Sequence, residues 1–276
     1  MADCPLLPAT FSPRIFRGFA WYLRRLLRRD FKAIHLSRST HAAFAASASH
    51  PGPLIVLMTH SAWWDPLIGL FLADRFHAHR RGCAPMDIAM IRKFGFFKKL
   101  GLFGIDPDHP DASQAMRSYV LSFFDQGPYP TLWLTPQGNF SDPRHPILLR
   151  PGAAAICAAC TPPSHPHPPK ALAIAIEYVF RLDRKAEVFI HAQAVTPPDK
   201  PSTPHWHKAL ATSLTSAAAT LACDVQSLDP ARFETVLSKA TKVNPLFDLW
   251  ASLTGRSNTI SNAHRTLPPS PPSPHP

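Results

Sequence analysis

Apolar residues in this chain come in short blocks set between turn-forming residues. Apolar runs cover 54–58 (Leu-Ile-Val-Leu-Met), 87–91, 102–105, 131–135, 172–180 and 188–195. Several are continuous rather than alternating, which predicts strands buried on both faces, as in a parallel sheet. Between and after them, 66–76, 92–100, 112–125, 152–160, 205–222 and 230–252 read as helical. Strands alternating with helices predict an α/β fold. The Pro- and His-rich stretch 161–169 reads as a loop, because proline removes ladder donors. Residues 255–276 are rich in Pro and Ser with little to bury, and read as a disordered tail.

A different pattern precedes the first strong strand. On a wheel of about 100° per residue, Phe16, Phe19, Leu23, Leu26 and Leu27 form one stripe, while Arg14, Arg17, Arg24, Arg25 and Arg28 fall opposite, with Trp21 among them. Such a helix suits a lipid interface, where apolar burial adds to attraction for anionic lipid. Arg17, Phe19, Trp21, Arg24, Arg25 and Arg28 are then its candidate membrane contacts. The same pattern suits a helix packed on the core with a solvated basic face. The expected organisation is one α/β domain whose mostly parallel sheet is flanked by helices. A basic amphipathic helical region at 1–48 leads into a core at 49–200, followed by a helical region at 201–254 and the tail at 255–276.

Charge narrows the choice of partner. Lys and Arg total 29 against 18 Asp and Glu, a formal net charge of +11 that points to a polyanionic neighbour. With no nucleic-acid motif beside the charge, an anionic membrane surface is the expected partner rather than nucleic acid. Five cysteines, an odd number without a regular framework, point to a reducing compartment. No run of eighteen apolar residues and no secretory leader pattern is visible, so peripheral attachment to the cytoplasmic face is expected.

Two segments carry candidate chemistry. In His60-Ser-Ala-Trp-Trp-Asp65 a histidine follows the strand-like run 54–58 and an aspartate opens the next helix. A turn that folds Asp65 back onto His60 would let the carboxylate take the Nδ1 proton and leave Nε2 as a base. The same residues also fit a plain strand-end histidine beside a helix-capping aspartate. In 133–141 an apolar strand ends in Pro136-Gln137-Gly138-Asn139, with Arg144 and Arg150 close behind. That turn offers amide donors to a hydroxyl, a phosphate ester or an oxyanion, or is a tight turn and no more. Cys157 and Cys160, with His165 and His167 beyond, have the residue types of a metal site, but a lone Cys-x-x-Cys in an Ala-rich helix reads first as small-residue packing.

In order and spacing these blocks resemble those of the glycerolipid (lysophosphatidic-acid-type) acyltransferases. His60 and Asp65 match the family's His-x4-Asp motif. Gly101-Leu-Phe-Gly-Ile105 is similar to its second block, Pro136-Gln137-Gly138 to its Pro-Glu-Gly, and Leu172-Ala-Ile-Ala-Ile176 to its apolar fourth block. Trp63-Trp64-Asp65-Pro66 and Glu177-Tyr178 are similar to a bacterial subgroup. The resemblance implies transfer of a fatty acyl group from an acyl-CoA or acyl carrier protein thioester to a lipid acceptor. His60 would be the base and Asp65 its orienting group, with Gln137, Gly138, Asn139 and Arg144 at the acceptor and no bound cofactor or metal. Where the family has an Arg after the second block, this chain has Asp106-Pro107-Asp108, so an acceptor neutral or cationic at that end is expected. Two other classes fit the composition: a lipid-binding protein without turnover, and a metal-dependent hydrolase.

Overall fold

The computed structural model describes residues 5–160, 167–181, 183–227 and 229–238. In chain order the elements begin with β1 (Leu6–Leu7), α1 (Pro13–Asp30), β2 (Ala33–Ser37), α2 (Thr40–Ala48), β3 (Leu54–Met58), α3 (Asp65–Phe76), β4 (Arg81–Asp87) and α4 (Ile88–Lys93). After a 3-10 turn at Gly95–Leu100 come β5 (Leu102–Ile105), α5 (Ala112–Asp125), β6 (Pro130–Leu134), α6 (Gly152–Ala159), β7 (Lys170–Val179), β8 (Glu187–Ala194), α7 (Thr203–Gln226) and β9 (Phe233–Ser238).

The strands form one nine-stranded sheet in the order β1-β5-β4-β6-β3-β7-β8-β2-β9. The stretch from β5 to β7 is parallel throughout, as is the β2–β8 pair; β1–β5, β7–β8 and β2–β9 are antiparallel. This is the expected α/β fold with a mostly parallel sheet. All five residues of β3 are buried, and alternate ones serve opposite layers. Ile55 and Leu57 pack with α5, α6 and α7, whereas Leu54, Val56 and Met58 pack with α1, α2 and α3. Crossovers toward β5 carry α3 and α4 on one face, and crossovers returning to β7 carry α5 and α6 on the other, which keeps every crossover the same hand. The carboxyl ends of β6, β3 and β7 therefore meet side by side. In such sheets that edge is where ligands bind.

At the opposite edge Arg80 is buried and donates to the carbonyls of Ser47, His50, Gly52 and Pro130 and to Thr131 Oγ1. One guanidinium thus ties the amino ends of β3 and β6 together. Burial and nearby cations hold His50 and His77, beside it, down to about 4.

Several elements differ from the expectation. Residues 87–91 are not a strand: Asp87 ends β4 and caps α4, its Oδ1 accepting from Ala89 N at 2.7 Å. Within 230–252 the described part holds a 3-10 turn at Pro230–Arg232 and then β9, where Phe233 and Leu237 are buried, rather than a long helix. Inside the region read as helical before 49, Ala33–Ser37 is a strand placed between β8 and β9. The tail at 255–276, and 161–166 of the expected loop, lie outside the described residues.

The apolar stripe of α1 faces the core. Leu23 and Leu27 are 1 % and 0 % exposed, and at roughly 2 kcal/mol for each buried leucine the stripe stays there. Phe19 is half-buried between Tyr22 and Phe96, with ring centroids 6.0 and 5.6 Å away. Arg24 is paired with Asp74 of α3 at 2.6 Å. Arg17 and Arg28 are exposed, and Trp21 lies under the Arg25 guanidinium at 3.9 Å. Among the described residues, no helix is long and apolar enough to cross a membrane.

Candidate active site

The end of β3 is fixed before the candidate base is reached. Thr59 N donates to Ile174 O, and its hydroxyl accepts from Ile176 N, both at 3.0 Å, so the ladder to β7 continues one residue past the strand. His60 N donates to Gln137 Oε1 at 2.8 Å, and Ser141 N donates to His60 O at 2.8 Å. The β3 end is thereby pinned on both sides, with β7 on one flank and the turn after β6 on the other.

The chain then turns back on itself. Asp65 opens α3 with Pro66 behind it, a residue suited to a first helical turn. The Asp65 carboxylate points back, and its Oδ2 meets His60 Nδ1 at 3.1 Å. The same oxygen accepts from Ser61 N at 2.7 Å and Ala62 N at 2.8 Å, while Oδ1 accepts from the Tyr178 hydroxyl at 2.6 Å. Asp65 is 0 % exposed, so these four donors replace its water. Burial, then the Asp65 charge, pushes proton loss from Tyr178 far above the ordinary tyrosine range and keeps it a donor. With the carboxylate accepting from Nδ1, the contacts assign the proton to that nitrogen and the lone pair to Nε2. The imidazole is 13 % exposed, and the ring of Phe140, itself 60 % exposed, sits 4.3 Å from it.

The residues expected at the acceptor take different places. Gln137 commits its carbonyl oxygen to the His60 backbone. Gly138 has φ +75°, and an added Cβ would meet the Arg150 guanidinium. Asn139 is exposed beside them. Arg144 extends into solvent and pairs with Asp142 through both carboxylate oxygens, at 2.8 and 2.6 Å. After β5, Asp106 Oδ1 accepts from Asp108 N at 3.1 Å in a local turn. Sheet order places that turn three strands from His60, about 14 Å away at 4.8 Å per strand.

Cys157 and Cys160 are buried in the core on the α5–α7 face, where burial pushes both thiols up, Cys160 to about 12. Among the described residues, no group of three or more His, Cys, Asp or Glu side chains is placed to hold a metal ion. A scan against models of known families gave no match, and a search of curated proteins gave none either.

Tyr178 and Phe140 join the site beside the residues expected from the sequence. The signal for Tyr178 was present in the alternation of β7. Ile174, Ile176 and Tyr178 share the face that carries α3, where Asp65 begins.

Proposed function

We propose that this chain is an acyltransferase that moves a fatty acyl group from an acyl-CoA or acyl carrier protein thioester to a hydroxyl of a lipid acceptor. The observation that supports it best is the His60–Asp65 pair, a strand-end imidazole whose Nδ1 is backed by a fully buried carboxylate while the ring stays partly exposed. In the proposed step Nε2 takes the proton as the acceptor oxygen attacks the thioester carbonyl. Collapse of the tetrahedral adduct breaks the C–S bond. The thiolate, with an ordinary thiol pKa of about 8.5, is a good leaving group and recovers the proton from the imidazolium. Asp65 holds the tautomer and balances the transient positive ring. This route uses no resident cofactor or metal; the thioester is a substrate.

The acceptor is proposed to be neutral or cationic at the β5 end, where Asp106 and Asp108 would repel a phosphate. The chain is proposed to act as a peripheral protein at the cytoplasmic face of an anionic membrane, drawn there by its net charge of +11.

Thiol release from acyl-CoA and from acyl carrier protein, followed with and without lysolipid acceptors, tests the reading. His60→Ala and Asp65→Asn should each lower turnover by at least about a thousandfold, the order seen when a base or its orienting carboxylate is removed. His60→Ala should leave unfolding free energy within about 1 kcal/mol. Near-normal turnover in either variant overturns the assignment. So does lipid binding by the parent chain without thioester consumption, which would make it a binding protein.

A further inference from the structure

We infer that the chain docks on an anionic bilayer through the rim of the candidate site, with the β7–β8 connection as the docking element. The inference rests on the proposed use of a lipid acceptor, and it moves the lipid contact away from the apolar stripe of α1, which is already packed.

The first observation is where exposed apolar surface lies. Trp63 follows β3, Phe140 and Leu148 follow β6, and Phe180 follows β7; they are 67, 60, 78 and 74 % exposed. These connections leave the carboxyl ends of three adjacent strands, the edge where His60 stands. Among the described residues, α5, α6 and α7 carry no large hydrophobic side chain so exposed. The other exposed large hydrophobics, on and around α1, α4 and the 3-10 turn, reach at most 54 %, so the four at the strand ends are the most exposed among the described residues; apolar side chains this bare beside a site mark a contact surface.

The second observation is charge on the same flank. Phe180 leads into Arg181, Arg184 and Lys185, and Lys185 Nζ donates to Arg29 O, joining the connection to the last turn of α1. Arg28 and Arg29 stand there, and an open groove of about 500 Å³ lies among Arg29, Asp30, Arg184 and Lys185. Some of this charge is paired, Arg29 with Asp30 at 2.9 Å and Arg181 near Glu187 at 3.9 Å. Arg28, Arg184 and Lys185 add to it. The basic flank is tied to the site by ring contacts: Trp63 on Trp64 at 5.3 Å, Trp64 on Phe31 at 4.9 Å, and Phe31 on Tyr178 at 5.8 Å.

Large aromatic side chains beside Arg and Lys fit the headgroup layer, where the rings enter the apolar boundary and the cations meet lipid phosphate. An acidic protein would need the cations but would leave Trp63, Phe140 and Phe180 without an apolar counterpart. In this orientation His60 faces the layer that holds the acceptor.

Flotation of the full chain with phosphatidylcholine vesicles, with and without phosphatidylglycerol, tests the surface without needing turnover. The triple variant Arg181→Glu, Arg184→Glu, Lys185→Glu should bind anionic vesicles on the order of a hundredfold more weakly. Phe180→Ala should weaken binding to both kinds by roughly tenfold or more. Arg14→Glu with Arg17→Glu, at the other end of α1, should change binding less than about threefold. In the unmodified chain, lipids brominated in the acyl chains should quench tryptophan emission, and Trp63→Phe should remove most of that quenching. Unchanged vesicle binding in the triple variant, or unchanged quenching without Trp63, overturns the inference. So does a triple variant that binds vesicles normally but loses transfer from acyl carrier protein alone, which would give the surface to the donor. Docking as expected without thioester consumption would overturn the proposed reaction and leave the docking face standing.

Discussion

Tyr178→Phe keeps an aromatic ring against Phe31 and removes one hydroxyl, the donor 2.6 Å from Asp65 Oδ1. The acceptor is a carboxylate with no exposed surface, so water cannot replace the lost bond. A hydrogen bond to a buried charge is worth about 2 kcal/mol. Unfolding free energy should fall by that amount, and the melting temperature by roughly 4–8 °C for a domain of this size. Turnover should also fall, about tenfold, because one oxygen of the group that orients His60 is then unrestrained, while KM for the acceptor stays within about twofold. A purely structural Tyr178 would give the stability loss alone. The deciding assay is a double-mutant cycle for turnover, Tyr178→Phe made in the parent chain and in Asp65→Asn. Coupling predicts that the tenfold loss shrinks to less than about threefold once the carboxylate is gone. A full tenfold loss in both backgrounds, or none in the parent, would refute the reasoning.

Acidification should unfold the protein partly through two histidines. His50 and His77 are held to about 4, by burial first and then by Lys170 and Arg80 for His50 and by Arg80 and His79 for His77, whereas an unfolded chain protonates them near 6.5. The unfolded state therefore binds more protons as pH falls from about 6.5 to 4, and stability drops across that window, by up to roughly 3 kcal/mol for His77; urea midpoints for His77→Gln should show a shallower slope there, and an identical slope refutes the assignment. Gly138→Ala should cost about 1–2 kcal/mol through its left-handed backbone. The loss should persist in an Arg150→Ala background, since recovery there would blame the side-chain collision instead. In competition with one acyl donor, a neutral or amine-bearing lysolipid should outcompete lysophosphatidic acid, and the reverse preference would mean that a cation elsewhere overrides Asp106 and Asp108.

What was legible in the sequence follows from how each segment is buried. β3 sits between two helical layers, so Leu54 to Met58 is uniformly apolar and reads as a central strand. β4 was invisible because Arg81, Gly82 and Pro85 make a poor strand by propensity, and pairing with β5 and β6 on both sides overrides it. The nearby hydrophobic peak, Ile88 to Ile91, belongs to a helix capped by Asp87 and reads as a strand only because six residues are too few to show a helical period. β2 was hidden by His35, a polar residue in the middle of the run, whose ring stacks on Phe189 at 4.8 Å while its nitrogens meet Glu187 and Thr235. At the site, the spacing of His60 and Asp65 announced a turn that could close. The second oxygen of Asp65 is satisfied from Tyr178, 113 residues later, a partner that only the β3–β7 register brings alongside.

The N-terminal segment is threaded through the whole sheet, with β1 on one edge against β5 and β2 inserted between β8 and β9 near the other. On a ribosome β2 emerges well before its partners, and it has neighbours on both sides only once Ser238 has been made. At 5–20 residues per second the wait is roughly 10–40 s. Throughout it the open edge of β2 is available to any passing strand. A chain ending before β9 would expose that edge permanently, and a fragment beginning after β2 would expose the edge of β8 instead. A strand made early thus reaches its native neighbours late, and a cell making this chain quickly would need a chaperone to shelter β2 in the interval.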